Sequence, residues 1–284
     1  MKGRTYFIHS TSMGDLLIQI SAGSLYSSTS DMVSLGRSIL SSQFLKLPQT
    51  RGWMKPLTHT ADLHFSIGAP WEIFRIQLPS TSRVIDLYTK DGGIGVYSSE
   101  IVLIPEWGIG LSILEAGTSS ALGVIFQMIA EIMGPALEAA ARKEADTAYS
   151  GHYVSSDPKL NSSITITTDD SLSGLGVTSW ISNGTDMLNT VALLLVPNPS
   201  IRLYSTGLKK KLSDGNSLVS WRAVIDDMDQ SNATSFFPTC LSWGSVDGLM
   251  YGTIAVDDFV FTVGRDGMAT SVEPRVLRST LNRV

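Results

Sequence analysis

The sequence predicts an α+β chain: an antiparallel sheet with helices over residues 1–145, then a small antiparallel β-barrel over 146–284. Three observations predict it. Residues 84–116 read as three consecutive strands of one antiparallel sheet. The first ends in Lys90-Asp91-Gly92-Gly93, and the other two are joined by a Pro105-Glu106-Trp107-Gly108 turn. A helical stretch follows Gly117 and continues towards Lys143. From Tyr149 onward the pattern changes to short alternating strands at regular spacing, with Gly, Asn and Asp clustered between them.

Residues 1–30 are polar and Ser-rich. Ser30 or Asp31 can cap a helix to about Leu45, with Met32, Leu35, Ile39 and Leu40 at helical spacing. Residues 46–70 contain Pro48, Gly52, Pro56, Gly68 and Pro70, which predicts a long irregular connection. Trp71–Gln77 reads as a strand, and Pro79 to Ser82 turns the chain into the meander. The helix after Gly117 takes Thr118 or Ser119 as its cap and should break or kink at Gly134-Pro135. The later strands are placed at Ser163–Thr168, Leu175–Ile181, Thr190–Val196, Ile201–Ser205, Ser217–Ile225, Leu249–Ala255 and Asp258–Val263.

Composition narrows the function. A chain of 284 residues with 43% hydrophobic and 17% charged residues has ample material for a core. A net charge of −5 gives no basic field, so nucleic acid is not expected as a partner. Lys209-Lys210-Lys211 reads as a solvated turn. The single Cys240 cannot form an intrachain disulfide and reads as a buried thiol. The sequons at Asn161, Asn183 and Asn232 matter only in a secreted chain. MKGRTYFIHSTSMGD carries no signal-type apolar run, and the apolar helix near Ala121–Ile132 is too short to span a bilayer. A cytoplasmic protein without a membrane partner is the expectation.

Several residues have the chemistry of a site. Lys90 and Asp91 supply opposite charges at one strand end, although Asp-Gly is also a favoured hairpin pair. Tyr88 and Tyr97 could present phenols as acids, or serve as half-buried packing. His59 and His64 could move a proton, with Asp62 near enough in sequence to orient either ring. They are five apart, and no acidic third ligand stands at a zinc-like spacing, so no metal is expected. Trp71 and Glu72 could line a cleft, or be a core aromatic beside a solvated carboxylate. In the second domain Trp180, Trp221, Trp243, Phe259 and Phe261 belong to a barrel core or line a cavity for one apolar ligand.

The order of several segments resembles the C-terminal half of fungal β-lactamase-like proteins, relatives of class C β-lactamases and penicillin-binding proteins. The matching pieces are Ala22-Gly23-Ser24-Leu25-Tyr26-Ser27-Ser28 leading to Asp31–Leu40, then Trp53-Met-Lys-Pro56, Gly68-Ala-Pro-Trp-Glu-Ile73, Tyr88-Thr-Lys-Asp-Gly92 and Tyr97-Ser98-Ser99. Ser182–Asp186, Arg202–Gly207 and Trp221-Arg222 resemble the lipocalin-like β-barrel those proteins carry after the catalytic domain. The resemblance implies a truncated β-lactamase-like domain in which Lys90 is the lysine of the third motif and the Gly93 N–H is the strand's oxyanion donor. Asp91 departs from the family by placing negative charge where it has a hydroxyl.

The family acylates the Ser of a Ser-x-x-Lys motif, aided by a Tyr-x-Asn motif, because a neutral hydroxyl needs an adjacent base and a pre-aimed oxyanion site. Here the Ser-x-x-Lys match is Ser156-Asp-Pro-Lys159, in a Pro-containing turn, and no Tyr-x-Asn precedes the Asp31 helix. The resemblance therefore implies a repurposed enzyme of small-molecule metabolism. It would bind an apolar metabolite between the domains, without a cofactor, and promote cyclisation, isomerisation or hydrolysis without a serine acyl-enzyme. Two other readings stay open: a noncatalytic pseudoenzyme or binding partner, and a serine hydrolase whose true start lies upstream of Met1. A sheet without its N-terminal strands has an unpaired edge. Docking of the second domain or a homodimer would cover it.

Overall fold

The computed structural model describes residues 25–117, 121–192, 196–229 and 243–284. Cys240, Asn232 and the expected caps Thr118 and Ser119 lie outside the described residues. The chain divides into two compact units, the first from the described residues of Met1–Leu78 and Arg83–Leu137, the second from Pro79–Ser82 and Glu138–Val284.

In the first unit, helix α1 (Thr29–Leu40) starts two or three residues before the position that a Ser30 or Asp31 cap would give, and ends at Leu40 rather than near Leu45. Ser28 is the N-cap, its hydroxyl accepting from the Asp31 N–H at 3.2 Å, and Asp31 then lies in the first turn, where the helix dipole favours it. The 46–70 connection is more ordered than its prolines implied. It holds helix α2 (Leu47–Trp53), with Pro in the first turn where its missing N–H costs nothing, and strands β1 (Thr58–His59) and β2 (Phe65–Ile67).

These strands join β3 (Glu72–Gln77), β4 (Val84–Ile94), β5 (Tyr97–Ile104) and β6 (Ile109–Ala116) in a six-stranded antiparallel sheet in sequence order. One row crosses it through directly opposed residues: His59, Ser66, Ile73, Tyr88, Leu103 and Gly110. Opposed residues share a face. That face packs Ile73, Tyr88, Ile101 and Leu103 with Ile39 of α1 and with Trp71. The other face buries Ile85, Leu87, Val102 and Ile104, against which Phe126 packs.

The Asp91-Gly92 pair is not the hairpin turn. Asp91, Gly92 and Gly93 continue β4 opposite Glu100, Ser99 and Ser98, and the turn is the two-residue Gly95-Val96 loop closed by Ile94 opposite Tyr97. Gly95 has φ +61°, the left-handed geometry that the first position of a two-residue hairpin loop needs, and a glycine there avoids the Cβ clash.

Helix α3 (Leu122–Tyr149) is continuous over 28 residues with Pro135 inside it. The expected break is absent because one proline removes a single backbone donor, while the Ala-rich turns after it propagate strongly. The helix is also longer than the apolar run alone indicated. By length and composition it is long and apolar enough to cross a membrane, and Val124 and Ile132 on it are exposed.

In the second unit, β7 (Gly151–Ser155), β8 (Ser163–Thr167), β9 (Leu175–Ser182) and β10 (Thr185–Asp186) lead to the long hairpin β11 (Pro199–Lys211) and β12 (Ser217–Asp227). A small hairpin, β13 (Met250–Tyr251) and β14 (Ile254–Ala255), precedes β15 (Asp258–Val263), β16 (Ala269–Pro274) and β17 (Leu281–Arg283). The sheet order is β10-β9-β11-β12-β15-β16-β17-β7-β8, and β8 also pairs with β9, so every strand in it but β10 has at least two neighbours.

Two expectations fail in this unit, and three strands were not anticipated. Residues 188–192 form a π-helical turn where a strand over Thr190–Val196 was expected. The basic run is not a turn, since Lys209, Lys210 and Lys211 pair with Val219, Leu218 and Ser217 at the exposed end of β11. Strands β7, β16 and β17 carried too weak an alternation over too few residues to be read. Burial alternates with period two along β8 and β15, and the inward set includes Tyr153, Trp180, Phe259 and Phe261, all fully buried. Arg283 in the last strand donates to the carbonyls of Thr147, Ala148 and Ser150, satisfying acceptors that the end of α3 leaves open.

Candidate functional site

The sheet places Lys90 where β4 runs past its neighbour. β3 begins at Glu72, opposite Thr89, so beyond that point β4 has no backbone partner on the β3 side. The Glu72 carboxylate takes that place. One oxygen accepts the Asp91 N–H at 3.3 Å and the other accepts from the Lys90 ammonium at 2.5 Å. The ammonium also donates to the Asp91 carboxylate at 2.9 Å and the Asp91 carbonyl at 3.2 Å. An ammonium has three donors, and all three of Lys90's are used within the protein.

The titration behaviour follows. Burial alone would lower the Lys90 pKa, but the hydrogen bonds it donates to Asp91 and Glu72 outweigh it and raise the group above its ordinary value. Asp91 is held below the usual carboxylate range, first by its hydrogen bond from Lys90. At neutral pH Lys90 is a cation and Asp91 an anion. Neither is poised to exchange a proton.

Glu100 differs. It faces Asp91 directly across the β4–β5 ladder and is only 6% exposed, and its carboxyl makes no hydrogen bond among the described residues. Burial raises its pKa, and the charges of Asp91 and Glu72 add to the effect. It is the carboxyl of this cluster displaced towards neutrality, and the sequence reading missed it. The available signal was one Glu heading the apolar run Glu100-Ile-Val-Leu-Ile104, where a solvated residue would not sit.

The other predicted residues are distributed more widely. Tyr88 is buried in the α1-facing core, edge-on to Trp71 with ring centres 6.2 Å apart. Burial, with the charges of Asp86 and Glu106 added, pushes its pKa up to about 12, which keeps the phenol protonated. Trp71 is 3% exposed and packs on Trp53 at 4.9 Å, so its indole belongs to the core and lines no open cleft. Gly93 is exposed, two residues before the hairpin loop. Tyr97 sits at the hairpin end, four residues along β5 from the position facing Lys90, or about 13 Å at strand rise.

His59 lies three strands from Tyr88 in the same row, about 14 Å at ordinary strand spacing. Its Nδ1 is 3.0 Å from the Ser66 hydroxyl. His64 has Nδ1 3.1 Å from the Arg75 carbonyl, and its N–H donates to Asp62. Asp62 thus holds backbone rather than an imidazole. The structure brings Lys90, Asp91 and Glu72 together and adds Glu100; it leaves Tyr97 and both histidines apart from them. Among the described residues no group of three or more His, Cys, Asp or Glu side chains could hold a metal ion. The Ser156–Lys159 match lies at a 3-10 turn over Pro158–Leu160, capped by Asp157, between β7 and β8.

Comparison with known proteins gives a consistent picture. The family described as "Beta-lactamase-like-like, C-terminal domain" matches residues 141–284. A "Beta-lactamase-like protein" of Arthroderma benhamiae is 32% identical over 90% of this chain and 48% of that protein. A second protein of that description, from Strobilurus tenacellus, is 29% identical over 59% of this chain and 57% of its own length. A protein named "Probable hydrolase", from a Phoma species, is 32% identical over 58% of this chain and 27% of its own length. The matches thus span between about a quarter and somewhat over half of these relatives' own length.

Proposed function

This chain belongs to the β-lactamase-like family, and from that premise we propose that it acts on an apolar small molecule of fungal secondary metabolism, by hydrolysis, cyclisation or isomerisation, using acid–base groups and no serine acyl-enzyme. The observation that carries the reading is the pairing of Glu100 with the Glu72–Lys90–Asp91 cluster. One carboxyl is held towards the protonated form beside groups fixed in their charged forms, and pairs whose environments push pKa values apart are how acid and base roles become assigned. Glu100 is then the proton-transfer group, and the ion cluster fixes the end of β4 that stands opposite it. The name "Probable hydrolase" carried by one relative supports hydrolysis as the first reaction to test. The test is turnover of a panel of acyl esters by wild type and Glu100→Gln: loss of the wild-type activity in the variant supports the proposal, and unchanged activity removes it.

We read the ring of pairings in the second unit as the small barrel suggested by the sequence, supported by the β8–β9 ladder and by a core that fills it with large side chains.

One observation favours a second reading. All three donors of Lys90 are taken internally, so the group that would supply positive charge to a substrate is already neutralised. On that reading the protein binds a metabolite or a partner without turning it over, and no ester in the panel is consumed.

A further inference from the structure

Helix α1 and strands β5 and β6 enclose a groove of about 560 Å³ in the first unit, within the 300–1,000 Å³ range typical of small-molecule sites. Its walls are mainly apolar, with Met32, Val33 and Leu40 on the helix and Ile101, Leu103 and Leu111 on the strands. Glycines keep it open. A Cβ at Gly110 would stand 2.8 Å from Leu103, and one at Gly36 would stand 3.1 Å from the same side chain. The polar lining is gathered where α1 ends, at Arg37, Ser41 and Gln43. From Val33 to Ser41 the groove follows the helix for about 12 Å at helical rise.

Two donors at that end have no acceptor. The Arg37 guanidinium forms no ion pair or hydrogen bond among the described residues, and it is the only charged group lining the groove. Gln43 uses its side-chain oxygen to accept from Ser38 at 3.1 Å, which leaves its amide N–H groups open. Ser41 is already engaged, donating to the Arg37 carbonyl at 2.6 Å. An apolar channel ending in a guanidinium and an amide donor matches a hydrocarbon that ends in a carboxylate, since guanidinium binds carboxylate in a paired, charge-assisted geometry.

We propose that this groove binds an apolar carboxylic acid, with its hydrocarbon along α1 and its carboxylate on Arg37 and Gln43. The proposal rests on the apolar-substrate reading above for its relevance to a reaction. It is tested by binding rather than turnover, so the two can fail separately.

The experiment is isothermal titration calorimetry of the full chain with decanoate below its micellar concentration, with decanol as the uncharged control. Wild type should bind one decanoate per chain. Arg37→Gln, at an exposed position, should weaken decanoate at least tenfold and leave decanol unchanged, since a charge-assisted contact is worth about tenfold or more in affinity. Val33→Trp, also exposed, should fill the groove and weaken both ligands. Glu100→Gln should bind decanoate like wild type, whatever its turnover. The proposal is overturned by the absence of saturable decanoate binding, by equal affinity in Arg37→Gln, or by undiminished binding in Val33→Trp. A dimer that Val33→Trp dissolves, in a chain that binds no decanoate, would make the groove a chain–chain contact and overturn it too.

Discussion

Replacing Glu72 by Gln removes the carboxylate that holds the overhanging end of β4. The loss has two parts. The ion pair with Lys90 is short, at 2.5 Å, but its side chains are 42% and 32% exposed, which places it near the top of the 0.2–1 kcal/mol range of solvated pairs rather than among buried ones. The second part is the Asp91 N–H, which loses a charged acceptor at 3.3 Å and keeps at best a neutral one. Together these give a cost of about 1–2 kcal/mol, of which about 1 kcal/mol should be coupling to Lys90.

The assay is a double-mutant cycle with Glu72→Gln and Lys90→Met, read by native-state hydrogen exchange of β4 amides, which reports the first unit without requiring the whole chain to unfold as one. The pH dependence has a fixed sign. Lys90 is raised in the folded state, so its contribution is complete below its unfolded value and disappears only as pH rises through the folded one. Asp91 is depressed, so its contribution is present above its unfolded value and is lost as pH falls through the folded one. The stability that Lys90 and Asp91 contribute should therefore be flat across neutrality and weaken in acid, as Asp91 protonates. Coupling below about 0.2 kcal/mol at pH 7, the floor for solvated pairs, would refute the view that Glu72 and Lys90 hold this strand end.

Glu100 is raised on folding, so the wild type should lose stability as pH rises from its unfolded value of about 4.3 through the folded one. Glu100→Gln should remove that component of a urea-stability profile, and an unchanged profile would place the proton elsewhere. Arg283→Gln should lower the stability of the second unit by about 1–3 kcal/mol in thermal melts, because the end of α3 loses donors to three carbonyls. Gly95→Val should cost about 1–3 kcal/mol by the same measurement, since φ +61° is a strained conformation for a β-branched residue. A fluorophosphonate probe should leave the chain unlabelled in mass spectrometry, and stoichiometric labelling of a serine would contradict the acid–base route. β6 has a strand partner only on its β5 side among the described residues. If it pairs with a second copy, sedimentation velocity should show a dimer that Leu114→Lys and Ser112→Pro shift to monomer.

The meander was legible because its strands are long and separated by distinct turns, and α1 because Met32, Leu35, Ile39 and Leu40 stand at helical spacing. Its cap is Ser28 and not Ser30 or Asp31, since several neighbouring residues there can cap and sequence does not choose among them. The turn at Gly95-Val96 was missed because Asp91-Gly92 is locally the stronger hairpin signal. Tertiary pairing with Ser99 and Glu100 outweighed that preference. Strands β1 and β2 are two and three residues long and exist through pairing with a neighbour, which no local pattern records. For the site, Lys90, Asp91 and Glu72 were chosen on chemistry, and the ladder brought them together. Trp71 was ambiguous because a core aromatic and a cleft aromatic have the same sequence. Glu100 required knowing what stands across the ladder, since a carboxylate shows its burial and its charged neighbours only in three dimensions.

The most direct test of the functional account is the pH-dependent turnover of p-nitrophenyl acyl esters of increasing chain length by the full chain and by Glu100→Gln. The account predicts hydrolysis that improves with acyl length, in a pH profile carrying an apparent pKa above the usual Glu range. It also predicts a loss of at least about a hundredfold in kcat/KM in the variant, as removal of a general acid–base group gives. Equal turnover in Glu100→Gln, or no turnover of any ester by wild type, would contradict it.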